Sequence, residues 1–196
     1  MWREGLTVYL VRHGETELNV SDCLRGRADV ALNATGRSQA EALGRAFSGV
    51  RARRVLSSPL QRALNTCRLA GLGDEAQVLD DLVEWDYGDY EGRTSEEVHR
   101  TDPDWLVFKD GCPNGESPAE VGQRIDRVIE QVRGAGGDVA VFAHGHVLRV
   151  FVARWLGLDA AEGRFFDLDT ATYNMLGYYH ASPAVLRWNA PLAMGG

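Results

Sequence analysis

Thr7-Val8-Tyr9-Leu10-Val11 passes without a break into Arg12-His13-Gly14-Glu15-Thr16. The first half is short, apolar and rich in β-branched and aromatic residues, which predicts a strand buried on both faces of a sheet. Directly past its carboxyl end come a fixed cation, an imidazole and a glycine. Open α/β sheets bind ligands in the crevice outside that end. An arginine there clamps an oxyanion, a neutral imidazole is a nucleophile, and Gly14 permits close backbone approach. These residue types suit a phosphoryl group.

The rest of the chain alternates in the same style. Residues 19–34 carry loop formers, and a helix is expected over 35–47 with Ala40, Leu43 and Phe47 inward. Arg54-Val55-Leu56-Ser57 predicts a second buried strand. Ser58-Pro59 then offers a cap and a first-turn proline for a helix with Leu60, Leu64 and Cys67 inward and Arg62 in its first turn. Residues 80–116 form a long irregular middle dense in acids, aromatics and glycines, and a connection of that length tends to be functional. Ser117-Pro118-Ala119-Glu120 is a capping box, followed by Val121, Ile125, Val128, Ile129 and Val132 at helical spacing, with Gly134 ending the run. Residues 138–143 predict a third buried strand, 147–155 a helix, and 171–179 and 184–188 two closing strands. The alternation predicts an α/β fold, a three-layer αβα sandwich on a mostly parallel mixed sheet, with residues 1–196 as one domain.

Composition narrows the function classes. The chain has 196 residues, 44% hydrophobic and 25% charged, with a formal net charge of −7. That balance, with no basic stripe, argues against a nucleic-acid partner. No apolar run approaches the roughly 20 residues of a membrane span, so no membrane partner is expected either. Met1 to Gly5 lacks a long apolar region, which makes a cytoplasmic address the expectation. Cys23, Cys67 and Cys112 are widely spaced and predict reduced thiols rather than a disulfide framework or zinc site. Lys109 is the only lysine, so the cations available to an anionic ligand are arginines.

Three strand ends lead to Arg12-His13, Arg62 and His144. In a parallel sheet they share one edge, and two arginines converging with two histidines there make a dianion pocket. Four blocks in this order resemble the histidine phosphatase superfamily, the phosphoglycerate mutase-like family. They are Leu10 to Thr16 with Asn19, Ser57-Ser58-Pro59-Leu60-Gln61-Arg62, Glu84 ahead of Tyr87-Gly88-Asp89-Tyr90-Glu91-Gly92, and Ala143-His144-Gly145. The resemblance spans nearly the whole chain and is strongest to the small phosphatase branch of sedoheptulose-bisphosphatase-type enzymes and bacterial acid phosphatases.

The resemblance implies a metal-independent phosphatase of small phosphorylated metabolites such as sugar phosphates, acting as a monomer or homodimer without a cofactor. It implies that His13 becomes a phosphohistidine and that Arg12, Arg62 and His144 hold the transferring group. Glu84 would protonate the leaving alkoxide and later activate water, starting in its protonated form, helped by apolar neighbours Val83 and Trp85. Asn19, Gly145, Tyr87 and Arg25 complete the implied phosphate and substrate contacts. The alternative is a 2,3-bisphosphoglycerate-dependent phosphoglycerate mutase. Such mutases usually place an arginine right after the acid and a lysine a little beyond; here stand Trp85 and Arg93-Thr94-Ser95.

Other polar residues carry open readings. Arg25 and Arg27 either reach a distal phosphate or solvate their loop. Glu15 rivals Glu84 as proton donor, but its nearness to Arg12 predicts an ion pair. His144-x-His146 lacks a third metal ligand, so His146 is expected to line the substrate side. Trp85, Trp105 and Phe108 read equally as core or pocket wall, and His99 and His180 carry no role.

Overall fold

A computed structural model describes residues 5–20, 23–24 and 26–190. Its sheet has six strands in the order β3-β2-β4-β1-β5-β6. These are β1 (Val8–Arg12), β2 (Arg54–Ser57), β3 (Ala76–Val78), β4 (Val139–Ala143), β5 (Tyr173–Tyr179) and β6 (Ser182–Ala190). The first four run parallel, while β5 and β6 join antiparallel through β1. The mostly parallel mixed sheet expected from the sequence is therefore present. The three-residue β3 was not anticipated, being too short to carry a periodic signal.

Strand side chains alternate between two apolar layers. Val11, Val55, Ala140 and Phe142 pack against Leu43 and Phe47 beside α2 (Ala34–Ala46) and Cys67 of α3 (Gln61–Leu69). Leu10, Leu56, Val141 and Ala143 face the other way, onto Val121, Ile125 and Val128 of α6 (Pro118–Arg133) and Leu148 and Phe151 of α7 (Gly145–Trp155). Every residue of β4 is buried, as a strand covered on both faces must be. Between α3 and α6 lie two short helices, α4 (Ser95–His99) and α5 (Val107–Asp110), and α1 (Glu17–Val20) overlaps the start of the loop predicted over 19–34.

The helix boundaries follow local chemistry, with one correction. Asn33 caps α2 by accepting from Gly36 N, and Ser117 and Glu120 close the expected capping box on α6. On α3 the cap position falls on Leu60 and has no side-chain bond. Its inward face is Arg62, Ala63, Thr66 and Cys67 rather than Leu60 and Leu64. Ser58 is thus freed from capping for another use. None of the three cysteines is in a disulfide, and Cys67 and Cys112 are buried.

Gly14 makes its close approach to the protein backbone. A Cβ built on it would lie 2.4 Å from the Gly36 carbonyl oxygen, where the loop after β1 crosses the start of α2. Gly14→Ala is expected to lower stability by about 3 kcal/mol, since neither backbone segment can yield cheaply. Urea unfolding tests this, and an unchanged midpoint would show that the crossing relaxes.

Candidate active site

The carboxyl edge of the parallel strands brings the sequence blocks together. Arg12 is in register with Ala143, and Ser57 with Phe142. Past the strands the ladder continues for one more bond on each side: His13 N donates to Ala143 O at 3.0 Å and Ser58 N to Phe142 O at 2.9 Å. The backbone around His13 is held further by Gly14 N donating to Thr66 Oγ1, which itself donates to Arg62 O. A sheet edge and one helix therefore set the backbone around His13.

His13 is buried, and its Nδ1 lies 2.7 Å from Gly14 O. A carbonyl only accepts, so Nδ1 carries the proton and Nε2 keeps its lone pair. Burial, then Arg62 and Arg12, push the imidazole well below the ordinary histidine range. The ring is neutral and nucleophilic at physiological pH.

Two guanidiniums frame the cavity beside it. Arg62 donates through Nε to His144 Nδ1 at 3.1 Å, and through its terminal nitrogens to Ala28 O and Gly26 O at 2.6 and 2.8 Å. Two of its five N–H bonds are left for the cavity it lines. Arg12 donates to Leu168 O, and its Nε is buried without a hydrogen-bond partner. A buried donor without an acceptor is costly, and an oxyanion relieves the cost. Gly145 sits against this guanidinium, where a Cβ would lie 3.3 Å from Arg12 Cζ.

His144 is placed differently from expectation. Both of its nitrogens are engaged by protein: Nδ1 accepts from Arg62, so Nε2 carries the proton and donates to Ser58 Oγ at 2.7 Å. The ring is fully buried and absent from the cavity wall, with its centroid 5.2 Å from that of His13. It stands behind the pocket and orients Arg62. Burial and Arg62 push it well below the usual range, so it too is neutral.

Glu84 enters from the irregular middle, and its surroundings are polar rather than the apolar ones its neighbours suggest. Oε1 accepts from Trp85 N and Val147 N at 2.9 and 3.0 Å, and Oε2 from His146 N at 3.1 Å. Glu84 thus supplies the N-terminal cap that His144 does not give α7. Arg124, on α6, pins this loop from behind. Its guanidinium donates to the carbonyls of Asp81, Val83 and Glu84 and forms a buried ion pair with Glu116, Nε to Oε1 at 2.8 Å. Trp85 belongs to the core, fully buried with its indole N–H on Glu116 O.

The remaining expectations divide. Tyr87 is buried with its hydroxyl 2.5 Å from His146 Nδ1. Burial, then Glu84, raise the phenol well above 10, so it keeps its proton and donates. Burial lowers His146 to about 4, so its single ring proton is on Nε2, and the ring lines the cavity as expected. Asn19 lines it too; its Oδ1 accepts from Thr16 N and Oγ1, which leaves the amide N–H₂ as its offering. Arg25 lies outside the described residues. Arg27 is exposed and pairs with Asp86 at 3.3 Å. Glu15 accepts from Asn33 Nδ2 instead of pairing with Arg12.

The cavity measures about 290 Å³ and is lined mainly by polar groups. Two lining or supporting arginines went unread in the sequence, Arg124 and Arg149. The signal for Arg124 was present: it sits within the inward stripe of Val121, Ile125 and Val128, where a lone charge needs a buried partner. Arg149 gave no such signal. Among the described residues no trio of His, Cys, Asp or Glu side chains is arranged to hold a metal, and no helix is long and apolar enough to cross a membrane.

Three buried neutral histidines make stability depend on pH. Below about 6.5 the unfolded chain binds protons that folded His13, His144 and His146 refuse. Protons then favour unfolding, so stability falls as pH drops below about 6.5, by at most about 1.4 kcal/mol per pH unit for each histidine. Glu97 and Glu120, lowered by their capping bonds, add losses only below about pH 4.5. Urea midpoints should fall between pH 7 and pH 5, with a shallower slope in His146→Gln. Equal midpoints at the two pH values would refute the burial of neutral rings.

Comparison with known proteins agrees with this geometry. The family model of the histidine phosphatase superfamily, branch 1, matches residues 8–191. An acid phosphatase of Mycobacterium tuberculosis is 39% identical over 175 residues, covering 87% of this chain and 86% of its own length. A sedoheptulose 1,7-bisphosphatase of Saccharomyces cerevisiae is 32% identical over 212 residues, covering 87% and 78%. The solved structure of an open reading frame product of Mycobacterium tuberculosis superimposes with a TM-score of 0.91 at 36% identity, covering 96% of this chain and 98% of that one.

Proposed function

The chain belongs to the histidine phosphatase superfamily and is a phosphoric monoester hydrolase, and on that premise we propose that it hydrolyses phosphomonoesters of small metabolites, sugar phosphates or bisphosphates among them, through a phosphohistidine on His13. The observation that carries this reading is the lone pair at His13 Nε2, held by the Nδ1–H donation to Gly14 O beside two guanidiniums.

His13 Nε2 attacks phosphorus and forms the N–P bond as the P–O bond to the leaving group breaks. Charge spreading over the transferring oxygens meets Arg12 and Arg62, and Asn19 adds a neutral donor. Glu84 delivers its proton to the departing alkoxide. The phosphorylated ring carries a proton on Nδ1 and is cationic, stabilised by Gly14 O but opposed by both arginines, which primes it for transfer. Water then loses a proton to Glu84 and attacks phosphorus; the N–P electrons return to His13. His144 acts as a positioning residue through Arg62. The arginines supply the charge a metal would otherwise bring.

The mutase alternative asks for a cation right after the acid. Trp85 fills that place and is buried in the core, and the two relatives above are phosphatases. The test is phosphate release in excess EDTA from sugar phosphates, sugar bisphosphates, 3-phosphoglycerate and p-nitrophenyl phosphate. EDTA-resistant release is expected. Isomerisation of 3-phosphoglycerate only with a bisphosphate primer, without net release, would overturn the reading.

A further inference from the structure

Arg62 owes its orientation to a segment that lies outside all four sequence blocks. Besides His144, its guanidinium is fixed by two backbone carbonyls, Gly26 O and Ala28 O. Such carbonyls aim the fork only as well as the loop that carries them is held. Residues 26–29 belong to no helix or strand, so their hold must come from elsewhere. It comes at both ends. Asp29 meets the start of α3: its Oδ1 accepts from Gln61 N at 2.7 Å, and its carbonyl from Gln61 Nε2 at 3.0 Å. Gly26 meets Glu91, whose two carboxylate oxygens accept its N–H at 3.0 and 3.1 Å.

The Gly26 end is built for close docking. A Cβ on Gly26 would lie 1.8 Å from Trp85 O, so only glycine lets the segment rest on the loop that carries Glu84. Just before it, Leu24 N donates to Arg93 O at 2.8 Å and Gly92 N to Leu24 O at 2.7 Å. That register brings Glu91 opposite Gly26. Arg27 adds ion pairs to Asp86 at 3.3 Å and Glu116 at 3.7 Å, but it is exposed, and such pairs contribute little. The bond from Gly26 N to the Glu91 carboxylate is charge-assisted and is the stronger tether. Glu91 itself does not line the cavity, and its other bond is a longer one from Tyr87 N at 3.3 Å.

We propose that residues 26–29 are a strap that positions Arg62 against the transferring phosphoryl group, and that Glu91 is the positioning residue that anchors it. This rests on the reading in which Arg62 stabilises that group. Without the carboxylate, Gly26 N loses its acceptor and the Gly26 and Ala28 carbonyls shift. The two N–H bonds that Arg62 keeps for the cavity then turn away from the developing charge. Misaimed donors of this kind cost most in the transition state, so kcat falls more than KM rises.

The test is steady-state phosphate release by the full chain. Glu91→Ala is expected to lower kcat/KM about 10- to 100-fold, with most of the loss in kcat. Glu91→Gln, whose amide oxygen still accepts from Gly26 N, should recover most of it. Gly26→Ala pushes the strap off Trp85 O with Glu91 intact and should reproduce the loss. The loss should match within about threefold for p-nitrophenyl phosphate and a sugar phosphate, because it acts on the phosphoryl group and not on the acid. In an Arg62→Met background, Glu91→Ala should cost less than about twofold, since the group it positions is gone. Wild-type kcat/KM in Glu91→Ala overturns the strap. So does a loss of full size in the Arg62→Met background, which would make Glu91 merely structural, or a loss confined to the sugar phosphate, which would route its effect through Tyr87 to Glu84. Wild-type kcat/KM in Arg62→Met would instead refute the role of Arg62 on the phosphoryl group, and the strap with it.

Discussion

His13→Asn is expected to lower the rate of phosphate release by at least about 10⁴-fold, the scale on which losing a covalent nucleophile appears. Asparagine is the informative replacement. Its side-chain amide reproduces the donation that Nδ1 makes to Gly14 O and leaves the Arg12 and Arg62 frame in place. Phosphate binding should therefore weaken only modestly while chemistry stops. The intermediate gives a second readout. Quenching the wild-type enzyme with a ³²P-labelled substrate should leave label that is acid-labile and alkali-stable, as phosphoramidates are, and the variant should carry none. Retention of more than about a hundredth of the wild-type rate would mean that water attacks directly and His13 serves only to orient it.

Glu84→Gln comes next in size, and its effect should depend on the leaving group. For a sugar phosphate the departing alkoxide needs a proton, and loss of the acid is expected to slow release about 10²- to 10⁴-fold. p-Nitrophenolate leaves without one, so phosphorylation of His13 by p-nitrophenyl phosphate should proceed nearly unimpaired. Dephosphorylation still needs a base. The variant should then show a burst of nitrophenol close to one equivalent, followed by slow turnover with the phosphoenzyme accumulated. Part of any change will be structural, because the glutamine amide faces the His146 N–H that Oε2 now accepts. That repulsion loosens the start of α7, and it acts on both substrates alike. Equal losses on both without a burst would sink the assignment of Glu84 as acid and leave it as a helix cap.

The two roles of Glu84 show why the site was only partly readable. Blocks of residues around His13, Arg62 and His144 announce themselves because a nucleophile, a fork-shaped cation and a strand end must occur in fixed local order. The neighbours of Glu84 in sequence, Val83 and Trp85, suggested an apolar pocket. Its neighbours in space are three backbone N–H groups, two of them 62 and 63 residues away. Glu15 failed in the same manner: proximity to Arg12 along the chain implied a pair, yet Arg12 ends β1 and Glu15 lies in the loop beyond it, and their side chains bond Leu168 O and Asn33 instead. His144 was recognised as a site residue, but its place behind the wall depended on Ser58, which sequence logic had assigned to a helix cap.

Sequence alone determined the fold class, the strand edge where the chemistry gathers, and the family. Each rests on short-range regularities: unbroken apolar runs for doubly covered strands, helical stripes with caps, and polar residues placed directly after strands. Periodicity of two and 3.6 residues is enforced by backbone geometry and is visible in any window. Only the tertiary structure decided which nitrogen of His13, His144 and His146 carries the proton, that Arg124 braces the loop around Glu84, and that Arg149 lies in the cavity wall without an ion pair among the described residues. Those facts are set by partners from distant segments. Hydrogen-bond roles, burial of charge and the absence of a counter-ion are properties of a surrounding shell, and a one-dimensional chain specifies that shell only once it has folded.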